Sequence, residues 1–213
     1  MSVTKRMQTI GEEIANAVSH GVGELLAIAG AVVAIVMAAI HGTAITVVSA
    51  SLYGASMILL YLFSTLYHSL TNRSAKRVFR VFDHCSIFIL IMGSYIPICL
   101  VLIGGALGWT LFGINAFCTV LGIVFNSINL ERWSKPSVVL YVIMGWSVLI
   151  GAKSVISAVD AAGIALLVGG GVAYTAGIIF YKARKKYMHF VWHIFVLAGT
   201  VLHYFFMLFY CFM

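Results

Sequence analysis

The chain has 213 residues, 62% hydrophobic and 9% charged, with only two prolines. Soluble domains carry about a quarter of their residues as charged groups, so a water-soluble fold is excluded; no such core absorbs this much apolar surface. The net charge of +7 does not point to nucleic acid, because the thirteen Lys and Arg sit almost entirely in short connectors rather than along a stripe with aromatics. They fit topogenic signalling and contact with anionic lipid instead.

The first 20 residues place Met7, Ile10, Ile14, Ala17 and Val18 at helical spacing, which predicts a short amphipathic segment at the membrane surface leading into the first span. Acidic and polar residues separate Lys5 and Arg6 from that span, so no cleaved targeting segment is expected. From residue 21 to 213, seven apolar runs can be marked at about 21–40, 45–66, 80–103, 106–126, 137–156, 161–181 and 189–211. Each approaches or exceeds the length of about 20 residues that crosses hydrocarbon as a helix. The fold class is therefore an all-α integral membrane protein, a seven-transmembrane-helix bundle filling one domain. Pro97 in the third run predicts a kink, and Gly169, Ala173 and Gly177 in the sixth predict a ridge for close helix approach. Cys85, Cys99, Cys118 and Cys211 all fall within apolar runs and show no paired spacing, so they read as reduced, buried small residues.

Charge sets the orientation. Lys5 and Arg6, the second connector (Arg73, Lys76, Arg77, Arg80), the fourth (Arg132, Lys135) and the sixth (Lys182, Arg184, Lys185, Lys186) place twelve cations on one side, against Lys153 on the other. Positively charged connectors stay in the cytoplasm, which predicts a cytoplasmic N-terminus and, after an odd number of crossings, an extracytoplasmic C-terminus.

Ionisable residues at or in the membrane are costly and ask for a partner, a cavity or a role. Here they gather on the cytoplasmic side: Ser64 and His68 near the end of span two, Asp83 and His84 at the start of span three, and His189 and His193 at the start of span seven. Residues four apart share a helix face, so His189 and His193 are spaced to grip one ion, with His68 at a similar depth as a third ligand. Three neutral imidazoles leave one tetrahedral position open, as in catalytic zinc sites, and Asp83 could accept a hydrogen bond from water bound there. H-x-x-x-H alone is a weak motif, and a histidine at an interface also serves a merely amphipathic role, so both readings stay open on spacing alone. His84 reads as a packing or hydrogen-bonding residue, His41 as solvated, and His203, ten residues past His193, as an interhelical hydrogen-bond donor. Glu13, Asn16, His20 and Glu24 form a polar stripe that turns one face of the first helix toward the same site, with structural partnering as its role; a proton-carrying role for Glu24 is a minor alternative.

At Glu12-Glu13-x-x-Asn16-x-x-x-His20-Gly21, Ser64-x-x-x-His68, Asp83-His84, Tyr95-x-Pro97 and His189-x-x-x-His193 the chain resembles bacterial members of the hemolysin III family, grouped with the progestin and adiponectin receptors. The resemblance runs over nearly the whole chain. It implies a seven-helix bundle binding Zn2+ through His68, His189 and His193, with Asp83 against the zinc-bound water, Ser64 beside it, and a place in the bacterial cytoplasmic (inner) membrane. The wider superfamily, which includes alkaline ceramidases, implies metal-dependent hydrolysis of lipid amides. The leading expectation is thus a zinc-dependent, membrane-embedded hydrolase acting on a lipid amide at the cytoplasmic side. Its catalytic residues would be Asp83 as general base and Ser64 steadying the oxyanion, with a membrane lipid as substrate or ligand. The alternative is a non-enzymatic zinc-containing sensor or regulator of membrane state; a pore or transporter ranks last, since His203 and Glu24 are too few to draw a polar path. The twelve-to-one charge asymmetry makes the orientation testable. A reporter fused after Met213 is expected to read the extracytoplasmic side and one in the 72–79 connector the cytoplasm, and the opposite pattern would also move the histidines to the other face.

Overall fold

The computed structural model describes residues 8–213, so Lys5, Arg6 and Met7 of the expected N-terminal segment lie outside the described residues. The helices are α1 (Ile10–His41), α2 (Ala44–Ser69), α3 (Arg73–Pro97), α4 (Gly105–Trp146), α5 (Ala152–Ala158), α6 (Ala161–Lys182) and α7 (Met188–Met207). Wide π-helical turns extend α3 over Ile98–Ile103 and α7 over Leu208–Phe212, and a 3-10 turn, Ser147–Gly151, joins α4 to α5. Among the described residues, six helical stretches are long and apolar enough to cross a membrane.

The bundle is packed in the manner of a protein whose solvent is hydrocarbon. α1 buries Gly23, Ala27, Ala31, Ala34 and Ala38 and turns Leu25, Leu26, Val32, Val36 and Ile40 outward. Bulky apolar side chains gain nothing by leaving lipid, so the small residues go inside, where they let helix backbones approach. The Ile10, Ile14 and Val18 face of the N-terminal segment is likewise exposed, and this segment runs without a break into the first span as the opening turns of α1.

The connector expected between spans four and five is mostly helical. Gly105–Ala158 forms one stretch of 54 residues, which if straight would be about 80 Å long, far beyond the ~30 Å of a hydrocarbon core. It is not straight. Asn129 leaves helical geometry (φ −158°, ψ 90°), and its side-chain oxygen accepts the Arg132 backbone N–H at 3.0 Å, capping the arm that follows. The two arms fold back on each other: Ser137 donates to Asn126 Oδ1 at 2.7 Å, Asn115 to Ser147 Oγ at 3.0 Å, and Phe125 stacks on Trp133 at 4.0 Å. One asparagine thus replaces a loop, because it can both break the ladder and satisfy the orphaned amide.

Two further expectations are adjusted. Pro97 does not make a simple kink; the helix widens after it, and Gly104, at φ 63°, closes the widened turn with a bond to the Cys99 carbonyl at 2.9 Å. The close-packed face of α6 is not Gly169, Ala173 and Gly177 but Gly163, Gly170 and Gly177, seven apart, which receive Tyr210, His203 and Trp192. Gly169 and Ala173 are half-buried beside that seam. All four cysteines are free, three buried and Cys118 half-buried.

Candidate metal centre

The last turn of α2 carries His68 and the first two turns of α7 carry His189 and His193. One donor nitrogen from each of the three rings lies within 4.8 Å of the other two. His68 and His193 are buried and His189 half-buried. A tetrahedral ion at zinc–nitrogen distances of 2.0–2.1 Å needs donors about 3.4 Å apart, so small side-chain shifts would close the site.

Hydrogen bonds already select the nitrogens. His68 Nδ1 lies 2.7 Å from Glu13 Oε2; a carboxylate only accepts, so Nδ1 carries the proton. The other nitrogen, Nε2, is buried without a hydrogen-bond partner. His193 Nδ1 lies 3.3 Å from the Asn16 backbone carbonyl, also an obligate acceptor, and 3.1 Å from Ser19 Oγ. Two imidazoles are therefore held as Nδ1–H tautomers, with Nε2 free to donate a lone pair, the arrangement that metal-ligating histidines adopt. Lys76 Nζ, 3.0 Å from Glu13 Oε1, holds that carboxylate from the other side. The residues present fit a divalent metal of the zinc type.

The first turn of α1 fixes where α7 begins. Thr9 and Glu12 form a reciprocal capping box, and the second Glu12 oxygen accepts the Tyr187 backbone N–H at 2.9 Å. Tyr187, the residue before α7, sits in the left-handed region at φ 61°, a conformation that a non-glycine residue holds only when its surroundings enforce it. Two residues later comes His189. The Thr9-x-x-Glu12 spacing was a signal of that helix start available in the sequence, although nothing there linked it to Tyr187.

Asp83 and Ser64 occupy the same end of the bundle. Ser64 is buried, and its hydroxyl has no hydrogen-bond partner. Asp83 lies near enough to His84, His68 and Ser64 for its carboxylate to interact with each, but it is not part of the cluster that could hold an ion. His84 is not one of the three clustered histidines: its Nδ1 lies 2.9 Å from the Arg80 carbonyl and 3.4 Å from Asp83 Oδ2, and its Nε2 is 3.4 Å from the Tyr181 hydroxyl. His41 is exposed, and His203 Nε2 donates to the Leu167 carbonyl of α6 at 3.0 Å, the interhelical bond expected of it. The α1 stripe divides its labour. Glu13 and Asn16 serve the ligands, His20 stacks on His193 at 3.6 Å, and Glu24 stands apart with one carboxylate oxygen buried and unpartnered.

A family profile described as "Haemolysin-III related" matches residues 8–204. The chain belongs to the haemolysin III family. "Hemolysin-3" of Bacillus cereus is 41% identical over 209 residues, covering 98% of this chain and 95% of that one. "Hemolysin-3 homolog" of Bacillus subtilis (strain 168) is 43% identical over 206 residues, covering 96% and 97%. The human "Monocyte to macrophage differentiation factor" is 26% identical over 157 residues, covering 68% of this chain and 63% of its own length. In this haemolysin III protein the histidine cluster depends on a carboxylate from a third helix, and partners of that kind commonly matter about 10–100-fold in metal affinity. Glu13→Gln is accordingly expected to weaken zinc retention about 10–100-fold in a competition titration with a chelator, while Glu24→Gln leaves it unchanged. Equal affinity in the Glu13 variant and the parent would remove Glu13 from the site.

Proposed function

We propose that the chain is a seven-span enzyme of the bacterial cytoplasmic membrane that holds zinc through His68, His189 and His193 and hydrolyses the amide bond of a membrane lipid. The observation that carries this reading is the convergence of three imidazole donors within 4.8 Å beside a carboxylate that is not one of them. A structural site would be closed by a fourth protein ligand, whereas three ligands leave a position for chemistry. The fold-back at Asn129 supports seven crossings, and the cationic connectors support a cytoplasmic N-terminus, an extracytoplasmic C-terminus and a site on the cytoplasmic side.

An apolar cavity of about 120 Å³ supports a lipid as the substrate. It opens between α3, the second arm of α4, α6 and α7, with Leu60, Ile91, Val142, Ile178 and Val196 among its walls and Ser94 and His203 deeper in the bundle. At the near end His84 and Tyr181 belong to its lining; Asp83 precedes His84 in the chain, and the Tyr181 ring is 6.0 Å from that of His189. An acyl chain lying in the cavity would bring its amide to the histidine end, with the head group toward the aqueous boundary. Zinc, when bound, supplies Lewis-acid polarisation of the carbonyl and acidifies water at neutral pH. Asp83 takes the proton of the attacking water and returns it to the leaving amine. Ser64, whose hydroxyl has no other partner, donates to the oxygen on which negative charge develops. His84, whose Nδ1 is 3.4 Å from Asp83 Oδ2, helps to hold that carboxylate in place.

The competing reading is a zinc-stapled sensor, in which the same ligands tie α2 and α7 together, with α3 beside them, and nothing is hydrolysed. Asp83→Asn separates the two, because the amide keeps the shape but cannot take a proton. With purified protein and N-acyl lipids, the variant is expected to keep its zinc and melting temperature and to lose about 10²–10⁴-fold in turnover. Loss of zinc together with the fold would make Asp83 a ligand or a structural partner, and unchanged turnover would remove it as the base. A zinc-loaded parent that turns over no N-acyl lipid would favour the sensor.

A further inference from the structure

One face of α2 is polar and buried along almost its whole length. Thr46, Ser49, Tyr53, Ser56, Tyr61, Ser64 and His68 are all under a tenth exposed. From Ser49 to His68 is 19 residues, about 28 Å of helix, close to the full ~30 Å of a bilayer's hydrocarbon. Ser56 donates to the Tyr53 carbonyl, Thr46 accepts from the Thr43 amide at the outer end, and His68 Nδ1 donates to Glu13 at the inner end, where Ser64 lies beside Asp83. The three between, Ser49 Oγ, Tyr53 OH and Tyr61 OH, are each buried without a hydrogen-bond partner.

In hydrocarbon an unpaired hydroxyl has no external water to turn to, and three on one helix face carry a cost that is a large share of a domain's net stability. The stripe also has company across the bundle. Tyr61, Tyr174 and Tyr204 lie in the same part of the bundle as Tyr53; Tyr174 shares a hydrogen bond with Thr200 at 2.8 Å, and Tyr204 donates to the Gly30 carbonyl at 3.1 Å. On the metal side, His20 meets Tyr61 edge-on at 5.1 Å, and both of its ring nitrogens are buried and unpartnered. Small residues of α1, Gly23, Ala27, Ala31, Ala34 and Ala38, are buried in the bundle, and Gly23 packs directly against the Tyr61 ring. Buried polar groups that lack protein partners are the places where globular proteins bind internal water, each molecule making about three hydrogen bonds.

We propose that this face of α2 binds a file of water molecules, held by Tyr61, Tyr53 and Ser49, which relays protons between the histidine end of the bundle and the opposite membrane boundary. Each hydroxyl accepts a proton from one neighbour as it gives its own to the next, so none is consumed and no side chain need change its charge. The ligand is water and the cargo a proton. The file does not depend on whether the metal centre hydrolyses a lipid.

The test uses purified full-length protein in vesicles of phosphatidylethanolamine and phosphatidylglycerol enclosing a pH-sensitive dye, with a potassium gradient and valinomycin driving proton entry. Parent vesicles are expected to change internal pH several-fold faster than protein-free ones. Tyr53→Phe and Tyr61→Phe remove one hydrogen-bonding group each and are expected to slow that entry about tenfold. Tyr67→Phe, whose ring packs beneath Lys76 Nζ at 5.1 Å, is the control and is expected to conduct as the parent does. Melting temperature and zinc content establish that each variant is folded. Should a tyrosine variant fail to fold, Ser49→Ala, which removes a single atom near the outer end, is expected to slow entry on its own. Parent flux equal to that of protein-free vesicles would overturn the relay, as would parent-like flux in every folded file variant.

Discussion

Hydrocarbon offers a polar group no water, and that constraint orders this molecule more than any single contact. Backbone amides are satisfied by long helices, and charged groups are swept to the helix ends. The polar side chains that remain inside must either bond one another or line a site. The histidine cluster obeys this rule through its outer partners: Glu13 saturates one side of His68, and the Asn16 carbonyl saturates one side of His193. What is left over on each ring is one lone pair facing the others, which is the condition for holding a cation. The arrangement also needs α1, α2 and α7 to end at the same depth, and the Glu12–Tyr187 bond links two of the three.

Much of this was legible in the sequence because bilayer physics writes it in coarse symbols. Apolar runs of the right length, the positions of cationic connectors and the i, i+4 pairing of His189 with His193 need no knowledge of packing. The third ligand followed from depth alone, since His68 ends its span where His189 begins another. What could not be read was anything depending on helix rotation or on one backbone torsion. The small-residue seam of α6 falls at Gly163, Gly170 and Gly177 because Tyr210, His203 and Trp192 of the α7 region set its face, and two candidate glycine faces in one helix look alike without that neighbour. The turn between the fourth and fifth runs looked like a loop because it is charged, yet Asn129 alone suffices to reverse the chain.

The stripe on α2 shows the same limit from the other direction. Ser49, Tyr53, Ser56 and Tyr61 are mild residues that a hydropathy profile passes over, and only their common burial makes a line of them. By hydropathy alone, His203 and Glu24 are the polar groups that stand out inside the bilayer, too few to draw a path. His203 bonds the Leu167 carbonyl of α6, and Glu24 of α1 keeps one carboxylate oxygen buried without a partner; neither belongs to the α2 stripe. Catalysis and proton relay would share one end of α2, with Ser64 between the two.

X-ray absorption at the zinc edge on the purified protein tests most directly whether three histidines from two helices bind one metal ion. One zinc per chain is expected, with three imidazole nitrogens and one light oxygen-type scatterer, all at about 2.0–2.1 Å. A shell containing sulfur at about 2.3 Å, fewer than two imidazoles, or protein that retains no metal when purified without chelator would contradict it.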